Sequence, residues 1–294
     1  MSIVRWIILF MIAGIMIMSY SCISFRMSSE EIEKFFSSQN VSATQHSYRS
    51  GFREMHYVKA GDARNPLVLF LHGSPGSLSA FIHFLADSIL LEKALLITTD
   101  RPGFGSSNFG NGEPSLEAQA DYLKPILEEF KGNRPIVLVG HSLAGALIVR
   151  MAAQYPELVD GLVIVAGSVD PALEPNETWF RAPLATPFLS WLVPRSFRVS
   201  NDEIYQLKPE LERMLPLWKE VRCPVIVIQG KEDELVPAEN ADFAKRMLVN
   251  APVELVMVDG MNHFVPWSHP HLIREAVLKM LERTAVRSGD VLAH

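Results

Sequence analysis

The feature that most constrains the fold of this chain is a repeated alternation between short apolar runs and segments with helical spacing. The apolar runs are rich in β-branched residues and most end in glycine, as expected of strands buried on both faces of a parallel sheet. They read PLVLFLHG, ALLITTD, PIVLVGH, GLVIVAG, PVIVIQG and VELVMVDG. Helical segments such as SLSAFIHFLADSILLE and LAGALIVRMAAQYPEL separate them. The alternation predicts right-handed βαβ units and a doubly wound, mainly parallel α/β sheet.

Composition narrows the classes of partner and chemistry. With 294 residues, 48% of them hydrophobic, the chain is long enough for one α/β domain with a full core. A net charge of −6 without a clustered basic stretch excludes a nucleic-acid partner. Two cysteines cannot form a disulfide framework. Because the sequence has neither a metal-ligand cluster nor a dinucleotide fingerprint, we expect no metal and no cofactor.

The N-terminal segment, residues 1–27, is separate from the α/β pattern. Arg5 precedes an uncharged apolar stretch over residues 6–18, and small and polar residues follow up to Cys22. This layout is typical of a secretory signal. It resembles a bacterial lipoprotein signal in which Cys22 would be lipidated, whereas the spacing of Arg5 and Arg26 also suits an uncleaved signal anchor of ~20 residues. A cleaved signal is the third interpretation. The first two predict a membrane-anchored protein whose remaining residues lie on the extracytoplasmic side.

The alternation fails once, over residues 168–221, where no strand of this type occurs. An insertion of this size in a compact domain is usually a lid or a binding element. Its aromatic residues either pack the insertion onto the domain or line an apolar substrate pocket. We assign Trp179, Phe188 and Trp191 to such a pocket.

The stretch GHSLAG places Ser142 between a predicted buried strand and a predicted helix. A turn that lifts a serine hydroxyl above a sheet holds this residue at positive φ and requires small residues two positions before and after it. Gly140 and Ala144 meet this requirement. The motif resembles the nucleophile elbow of the α/β-hydrolase superfamily, with Ala144 where glycine is usual. Ser142 is therefore the candidate nucleophile.

The resemblance implies the chain order serine, acid, histidine for the catalytic residues. His263 follows the last predicted strand and is the candidate base, whereas His269 and His271 are interpreted as surface or cap residues. The stretch GKEDELVP resembles the family's G-x-x-D-x-x-x-P loop and makes Asp233 the candidate acid. Asp170 in AGSVDP, one strand earlier, is the alternative.

The resemblance also implies an oxyanion hole. The backbone N–H of Leu143 lies at the start of a predicted helix, where the helix dipole favours negative charge. HGSPGS resembles the family's His-Gly loop, which implies the N–H of Ser74 as the second donor and a loop-organising role for His72. We place His141 and Trp267, from the stretch DGMNHFVPWSHP, beside the pocket.

The stretch TTDRPGFGSS matches the family's D-x-P-G-x-G-x-S loop, so four motifs occur in the family's order over residues 45–285. This order implies an α/β-hydrolase domain at 28–294, with residues 168–221 as its lid. The resemblance implies a serine hydrolase that cleaves a small-molecule ester, with an apolar part, through an acyl-enzyme. Carbon–carbon bond hydrolysis and perhydrolysis use the same triad and remain alternatives. A catalytically inactive, membrane-tethered binding protein is the alternative from another class.

Overall fold

The structure is a computed structural model, and it describes residue 14, residues 25–132 and residues 134–292. The predictions of a lipoprotein signal, a signal anchor and a lipidated Cys22 therefore fall outside the described residues. Among the helices that are described, none has the length and hydropathy needed to cross a bilayer.

The described residues form one eight-stranded sheet, which confirms the predicted mainly parallel α/β architecture. The strands are β1 (Ala43–Ser50), β2 (Arg53–Ala60), β3 (Leu67–Leu71), β4 (Leu95–Thr99), β5 (Ile136–His141), β6 (Gly161–Val165), β7 (Val225–Gly230) and β8 (Val253–Val258). Their order in the sheet is β1-β2-β4-β3-β5-β6-β7-β8. The pairs β1/β2 and β2/β4 are antiparallel, and the five remaining pairs are parallel.

Helices connect the parallel strands and cover both faces of the sheet. The α-helices are α1 (Ser29–Ser38), α2 (Ser88–Leu91), α3 (Leu116–Phe130), α4 (Ala144–Gln154), α5 (Thr178–Leu184), α6 (Arg195–Met214), α7 (Glu239–Met247), α8 (Val265–Ser268) and α9 (Pro270–Leu292). Short 3-10 helices span Leu78–Ala80, Ile82–Ala86, Ser190–Leu192 and Leu215–Glu220.

Each strand at the centre of the sheet contributes side chains to two cores, because successive side chains of a strand point to opposite faces. In β3, Leu67, Leu69 and Leu71 face a core formed with α3, α4 and α6. Val68 and Phe70 face a second core formed with α1 and α9. Burial on both faces explains why these strands appear in the sequence as continuous apolar runs.

The segment between β3 and β4 differs from the single helix that its spacing predicts. It forms two 3-10 helices and the one-turn helix α2. The Asp87 carboxylate accepts the N–H groups of Ile89 and Leu90, and the N–H of Leu78 donates to Asp100 in the loop after β4. Such side-chain bonds to the backbone compete with a continuous helix.

Residues 168–221, called the insertion below, connect β6 to β7. They contain α5 and α6 and no strand among the residues that the structure describes. Leu207, Leu211 and Met214 of α6 are buried in the core that contains α3 and α4. The C-terminal half of α6 is therefore part of the domain core, whereas α5 contributes no buried residue.

Candidate active site

Ser142 occupies the turn between β5 and α4 in a conformation that few residues adopt. Its φ is 57°, which is the positive value expected of a strand-to-helix turn that exposes a serine. Its N–H donates to Val165 O at 3.0 Å, and its carbonyl accepts the N–H of Ser168 at 3.2 Å. At Gly140, a Cβ atom would lie 2.3 Å from the carbonyl oxygen of Ala144. The turn therefore requires glycine at position 140.

His263 and Asp233 meet at the same edge of the sheet as Ser142. His263 follows β8, and Asp233 lies in the loop after β7. The distance between His263 Nδ1 and Asp233 Oδ2 is 2.8 Å. Because the carboxylate accepts this bond, Nδ1 carries the proton and Nε2 keeps its lone pair. Neutral His263 in this tautomer can accept a proton at Nε2.

The Asp233 carboxylate is buried and fully occupied by donors. Its Oδ1 accepts the backbone N–H groups of Leu235 and Val236, at 3.0 and 2.8 Å. Its Oδ2 accepts both His263 and the side-chain amide of Gln229. Burial acts to raise the pKa of Asp233, but the bonds from His263 and the Val236 N–H outweigh it, so the pKa lies below its usual value.

The alternative acid, Asp170, has a different partner. It lies after β6, where its Oδ1 accepts the N–H of Ala172 at 2.9 Å. Its own N–H donates to Asn240. Of the two candidate acids, Asp233 is the one that the structure joins to His263.

A cleft of about 400 Å³ opens above the carboxyl ends of the strands and holds both Ser142 and His263. Ser74 and Leu143, the residues assigned to the oxyanion hole, also lie on its wall. Leu143 is the N-cap of α4, so the positive end of that helix dipole points toward Ser142. The structure thus brings the five residues predicted for the chemistry to one place.

The loop that carries Ser74 packs tightly against the serine. A Cβ atom on Gly73 would lie 2.8 Å from the Cβ of Ser142. His72 is completely buried, with its Nδ1–H bonded to Gly73 O at 2.7 Å and its Nε2 accepting the N–H of Arg101 at 3.0 Å. Burial lowers the pKa of His72, so this imidazole is neutral and holds the loop rather than transferring protons.

His141 lies behind the candidate base instead of lining the cleft. Its Nε2–H donates to the carbonyl oxygen of His263 at 2.9 Å, and the two ring centroids are 4.8 Å apart. Burial, reinforced by the neighbouring His263, lowers the pKa of His141 to about 3. His141 therefore supports the backbone of His263 as a neutral group.

The aromatic residues assigned to the pocket require a correction. Trp179 and Phe188 are 81% and 82% exposed, and Trp191 and Trp267 are also exposed. None of the four lines the cleft. Within the insertion, Trp191 Nε1–H donates to the carbonyl oxygen of Phe188, and Trp179 contacts Phe180 edge to face. Trp267, outside the insertion, contacts the rings of His141 and Phe264.

The insertion instead contributes polar and aliphatic side chains to the cleft that the sequence did not single out. Glu174 accepts the hydroxyl of Ser168, and burial raises the pKa of Glu174. Arg181 donates from Nε to Glu177 at 2.6 Å. The available signal was the helical i, i+4 spacing of Glu177 and Arg181. The aliphatic lining from the insertion is Leu173, Ile204 and Leu207.

A second cavity of about 460 Å³ lies in the insertion and shares Glu174, Glu177 and Arg181 with the cleft. Among the residues that the structure describes, no group of three or more His, Cys, Asp or Glu side chains is arranged to hold a metal ion.

Known proteins resemble this chain in sequence and in fold. Residues 66–188 match the model of a family described as alpha/beta hydrolase fold. An uncharacterised protein of Mycobacterium tuberculosis is 32% identical, over 85% of this chain and 83% of that protein. A 2-hydroxy-6-oxononadienedioate/2-hydroxy-6-oxononatrienedioate hydrolase of Burkholderia vietnamiensis is 27% identical, over 78% of this chain and 91% of that enzyme.

Among solved structures, a putative lipase from Acinetobacter baumannii superimposes with a TM-score of 0.66 at 18% identity, covering 91% of this chain and 98% of the lipase chain. The sheet order, the turn at Ser142 and these similarities lead to one conclusion. The chain belongs to the α/β-hydrolase superfamily.

Proposed function

We propose that this protein is a serine hydrolase that cleaves a small or medium-sized carboxylic ester through an acyl-enzyme. The observation that carries the proposal is the 2.8 Å bond between His263 Nδ1 and Asp233, at a cleft that also contains Ser142. A histidine held in this tautomer by a buried carboxylate can act as a general base at its other nitrogen.

In the proposed reaction, Ser142 Oγ attacks the ester carbonyl carbon while its proton moves to His263 Nε2. The resulting oxyanion accepts hydrogen bonds from the N–H groups of Ser74 and Leu143. Collapse of the tetrahedral intermediate expels the alcohol, which takes the proton from His263. Water then attacks the acyl carbon and gives one proton to His263, and that proton passes to Ser142 Oγ as the bond to Ser142 breaks and the carboxylic acid leaves.

The cleft supports a substrate of limited size with both polar and apolar parts. A volume of about 400 Å³ lies at the lower end of the range for small-molecule sites. Leu173, Leu207 and Val236 offer apolar contacts, while Glu174 and Arg181 lie on the same wall. We therefore expect a pocket with both polar and apolar walls, and not one made apolar by the aromatic residues of the insertion.

The test is hydrolysis of p-nitrophenyl esters from acetate to palmitate by the full chain, beside Ser142→Ala. We expect the highest kcat/KM on the short and medium acyl chains, and a loss of about 10⁴-fold or more in Ser142→Ala. A fluorophosphonate should label the wild type and not Ser142→Ala. Ser88→Ala, at the start of α2, is the matched control and should be labelled like the wild type.

Activity that survives in Ser142→Ala would contradict the assignment of the nucleophile. A folded wild type that is neither labelled nor active on any ester would favour the catalytically inactive binding protein.

Carbon–carbon bond hydrolysis is the second candidate, because the relative from Burkholderia vietnamiensis is named for a hydroxy-oxo-dioate substrate and this cleft contains the cation Arg181. A dicarboxylate could compete with Glu177 for Arg181. Loss of the absorbance of a 2-hydroxy-6-oxo-dienoate, with no ester turnover by the same preparation, would favour this candidate. Perhydrolysis is distinguished by peroxyacid formation from acetate and hydrogen peroxide.

We also propose that residues 1–27 anchor the protein to a membrane, with the hydrolase domain on the extracytoplasmic side. The uncharged apolar stretch over residues 6–18 supports the anchor. The continuous described segment begins at Phe25, whose ring centroid lies 6.0 Å from that of Phe197 of α6. The last residues of the proposed anchor segment therefore lie beside the insertion, whose exposed Trp179 and Phe188 suit a membrane–water interface.

The anchor is tested by fractionating bacteria that express the full chain. We expect the protein in the membrane pellet after an alkaline carbonate wash, with the hydrolase domain accessible to protease in spheroplasts. The full chain should incorporate radioactive palmitate if Cys22 is lipidated, and Cys22→Ser should abolish that labelling, whereas a signal anchor should carry no label in either protein. Recovery of the wild-type protein from the cytoplasmic fraction would contradict the proposal.

A further inference from the structure

Arg101 is a completely buried arginine that holds the loop beside the nucleophile. It follows β4, and its side chain reaches across to the loop after β3. Its Nε–H donates to His72 O at 2.8 Å and its Nη2–H to Gly73 O at 3.0 Å. Its backbone N–H donates to His72 Nε2. Three bonds from one residue thus fix the two residues that precede Ser74.

The other side of the guanidinium is bound by the insertion. Glu203 of α6, also buried, accepts Arg101 Nη1 at 2.6 Å and Nη2 at 3.0 Å. Gln119 of α3 accepts the remaining Nη1–H at 2.8 Å and donates its own amide to Glu203 at 2.9 Å. All five N–H donors of the guanidinium therefore have an acceptor.

The loop that carries Gly73 and Ser74 packs directly against Ser142, so its position affects the proposed chemistry. Gly73 already approaches Ser142 so closely that a Cβ atom would collide with it. The next residue, Ser74, would supply one of the two oxyanion N–H groups. Oxyanion donors act only when they are held in place before the reaction, so a small shift of the loop weakens the bond formed in the transition state.

Glu203 is the group that keeps Arg101 in this arrangement. A buried guanidinium without a counter-charge is costly, and its donors would turn to other acceptors or to water. If the Glu203 charge is removed, the bonds to His72 O and Gly73 O lose the geometry that the bidentate pair imposes. Glu203 does not line the cleft, so any effect on the chemistry must pass through Arg101 and the loop.

We propose that Glu203 is a positioning residue for the oxyanion loop, acting through Arg101. The insertion would then influence the rate of the chemical step and not only access to the cleft. This inference rests on the proposed serine-hydrolase function, since it assigns a task to the same oxyanion hole.

The chain offers a matched control on the same helix. Glu210 lies seven residues after Glu203, is also buried, and accepts the N–H of Leu116 at the start of α3 at 2.9 Å. Its other oxygen binds Arg213. Glu203→Gln and Glu210→Gln therefore remove the same charge from the same helix, but only the first touches the loop through Arg101.

The experiment compares the two full-chain variants with the wild type on p-nitrophenyl butyrate and in inhibition by an alkyl trifluoromethyl ketone, whose tetrahedral adduct needs the oxyanion hole. For Glu203→Gln we expect kcat to fall by about 10- to 100-fold with KM within about threefold, since a misplaced donor costs less than the 10²- to 10³-fold of a deleted one. The ketone Ki should rise by a similar factor. Glu210→Gln should keep kcat and Ki within about twofold while its melting temperature falls.

If Glu203→Gln fails to fold, Glu203→Asp keeps the charge and shortens the side chain, and it should show the same pattern at smaller size. An active wild type with unchanged kcat and Ki in the Glu203 variants would overturn the positioning role and leave the proposed function standing. Equal losses of kcat in the Glu203 and Glu210 variants would also overturn it. A folded wild type that is inert toward both ester and ketone would overturn the inference together with the proposed function.

Discussion

The loops at the strand ends and the insertion contribute to one cleft by different means. At the strand ends, backbone groups hold Ser142 and Asp233. Ser142 is fixed by bonds of its own N–H and carbonyl, and the Asp233 carboxylate is fixed by the N–H groups of Leu235 and Val236. In the insertion, side chains make the contacts, as in the bonds of Arg181 with Glu177 and of Glu203 with Arg101.

This difference indicates which functional residues have positions fixed by the fold and which depend on the packing of the insertion. Backbone-held residues depend on a turn and a sheet edge, so their places follow from the connection of strand to helix. The polar wall supplied by the insertion depends on which helix face packs inward. Residues at the strand ends should therefore control whether the reaction occurs, and residues of the insertion should control its rate and substrate range.

Replacing the acid of the proposed triad should have the largest effect. In Asp233→Asn the carboxamide can donate to His263 and favour the wrong tautomer, so we expect kcat to fall by about 10³- to 10⁴-fold. Asp170→Asn is the control, because Asp170 binds the N–H of Ala172 instead. The kcat on p-nitrophenyl butyrate should stay within about threefold in that variant. A larger loss of kcat in Asp170→Asn than in Asp233→Asn would identify Asp170 as the acid.

The buried His141 predicts a pH-dependent loss of stability that originates at the strand ends. In the folded protein its pKa is about 3, whereas in the unfolded chain it returns to about 6.5. Between these values the unfolded state binds one more proton, so the free energy of unfolding falls as the pH falls below about 6.5. At pH 5 the contribution is about 2 kcal/mol, from 1.36 kcal/mol for each unit of pH.

Urea unfolding at pH 7 and pH 5 measures this contribution. His141→Gln should reduce the pH dependence by about 2 kcal/mol, and His271→Gln, at an exposed position, should leave it unchanged. Glu174 of the insertion has the opposite effect on the free energy of unfolding. Burial raises its pKa, so this group makes the folded protein more stable as the pH falls. An unaltered pH dependence in His141→Gln would mean that His141 has the same pKa in the folded protein as in the unfolded chain.

The two regions also differ in how much of their structure could be predicted from the sequence. The positive φ of Ser142 follows from the spacing of Gly140 and Ala144 between an apolar run and a helix, which is local information. The ion pair of Arg101 with Glu203 joins residues 102 positions apart. Its formation depends on how α6 packs on the sheet, and no local sequence pattern predicts that packing.

The aromatic residues of the insertion show the same limit. Their apolar character favoured a pocket, but hydrophobicity alone does not say which face of a short helix turns inward. Trp179 and Phe188 lie outside, and the cleft receives Leu173 and Arg181 instead. Tertiary packing therefore determines which side chains of the insertion face the cleft.

The smallest expected effect concerns these outward aromatic side chains. With a soluble ester such as p-nitrophenyl butyrate, Trp179→Ala and Phe188→Ala should each leave kcat/KM within about twofold, because neither side chain lines the cleft. Leu173→Ala, which does remove a contact in the cleft, should lower kcat/KM by about 5- to 30-fold, as expected for the loss of 1–2 kcal/mol of apolar contact. A tenfold loss in Trp179→Ala with an unchanged Leu173→Ala would reverse the comparison. It would mean that the insertion folds over the bound ester and turns its aromatic face toward the substrate during turnover.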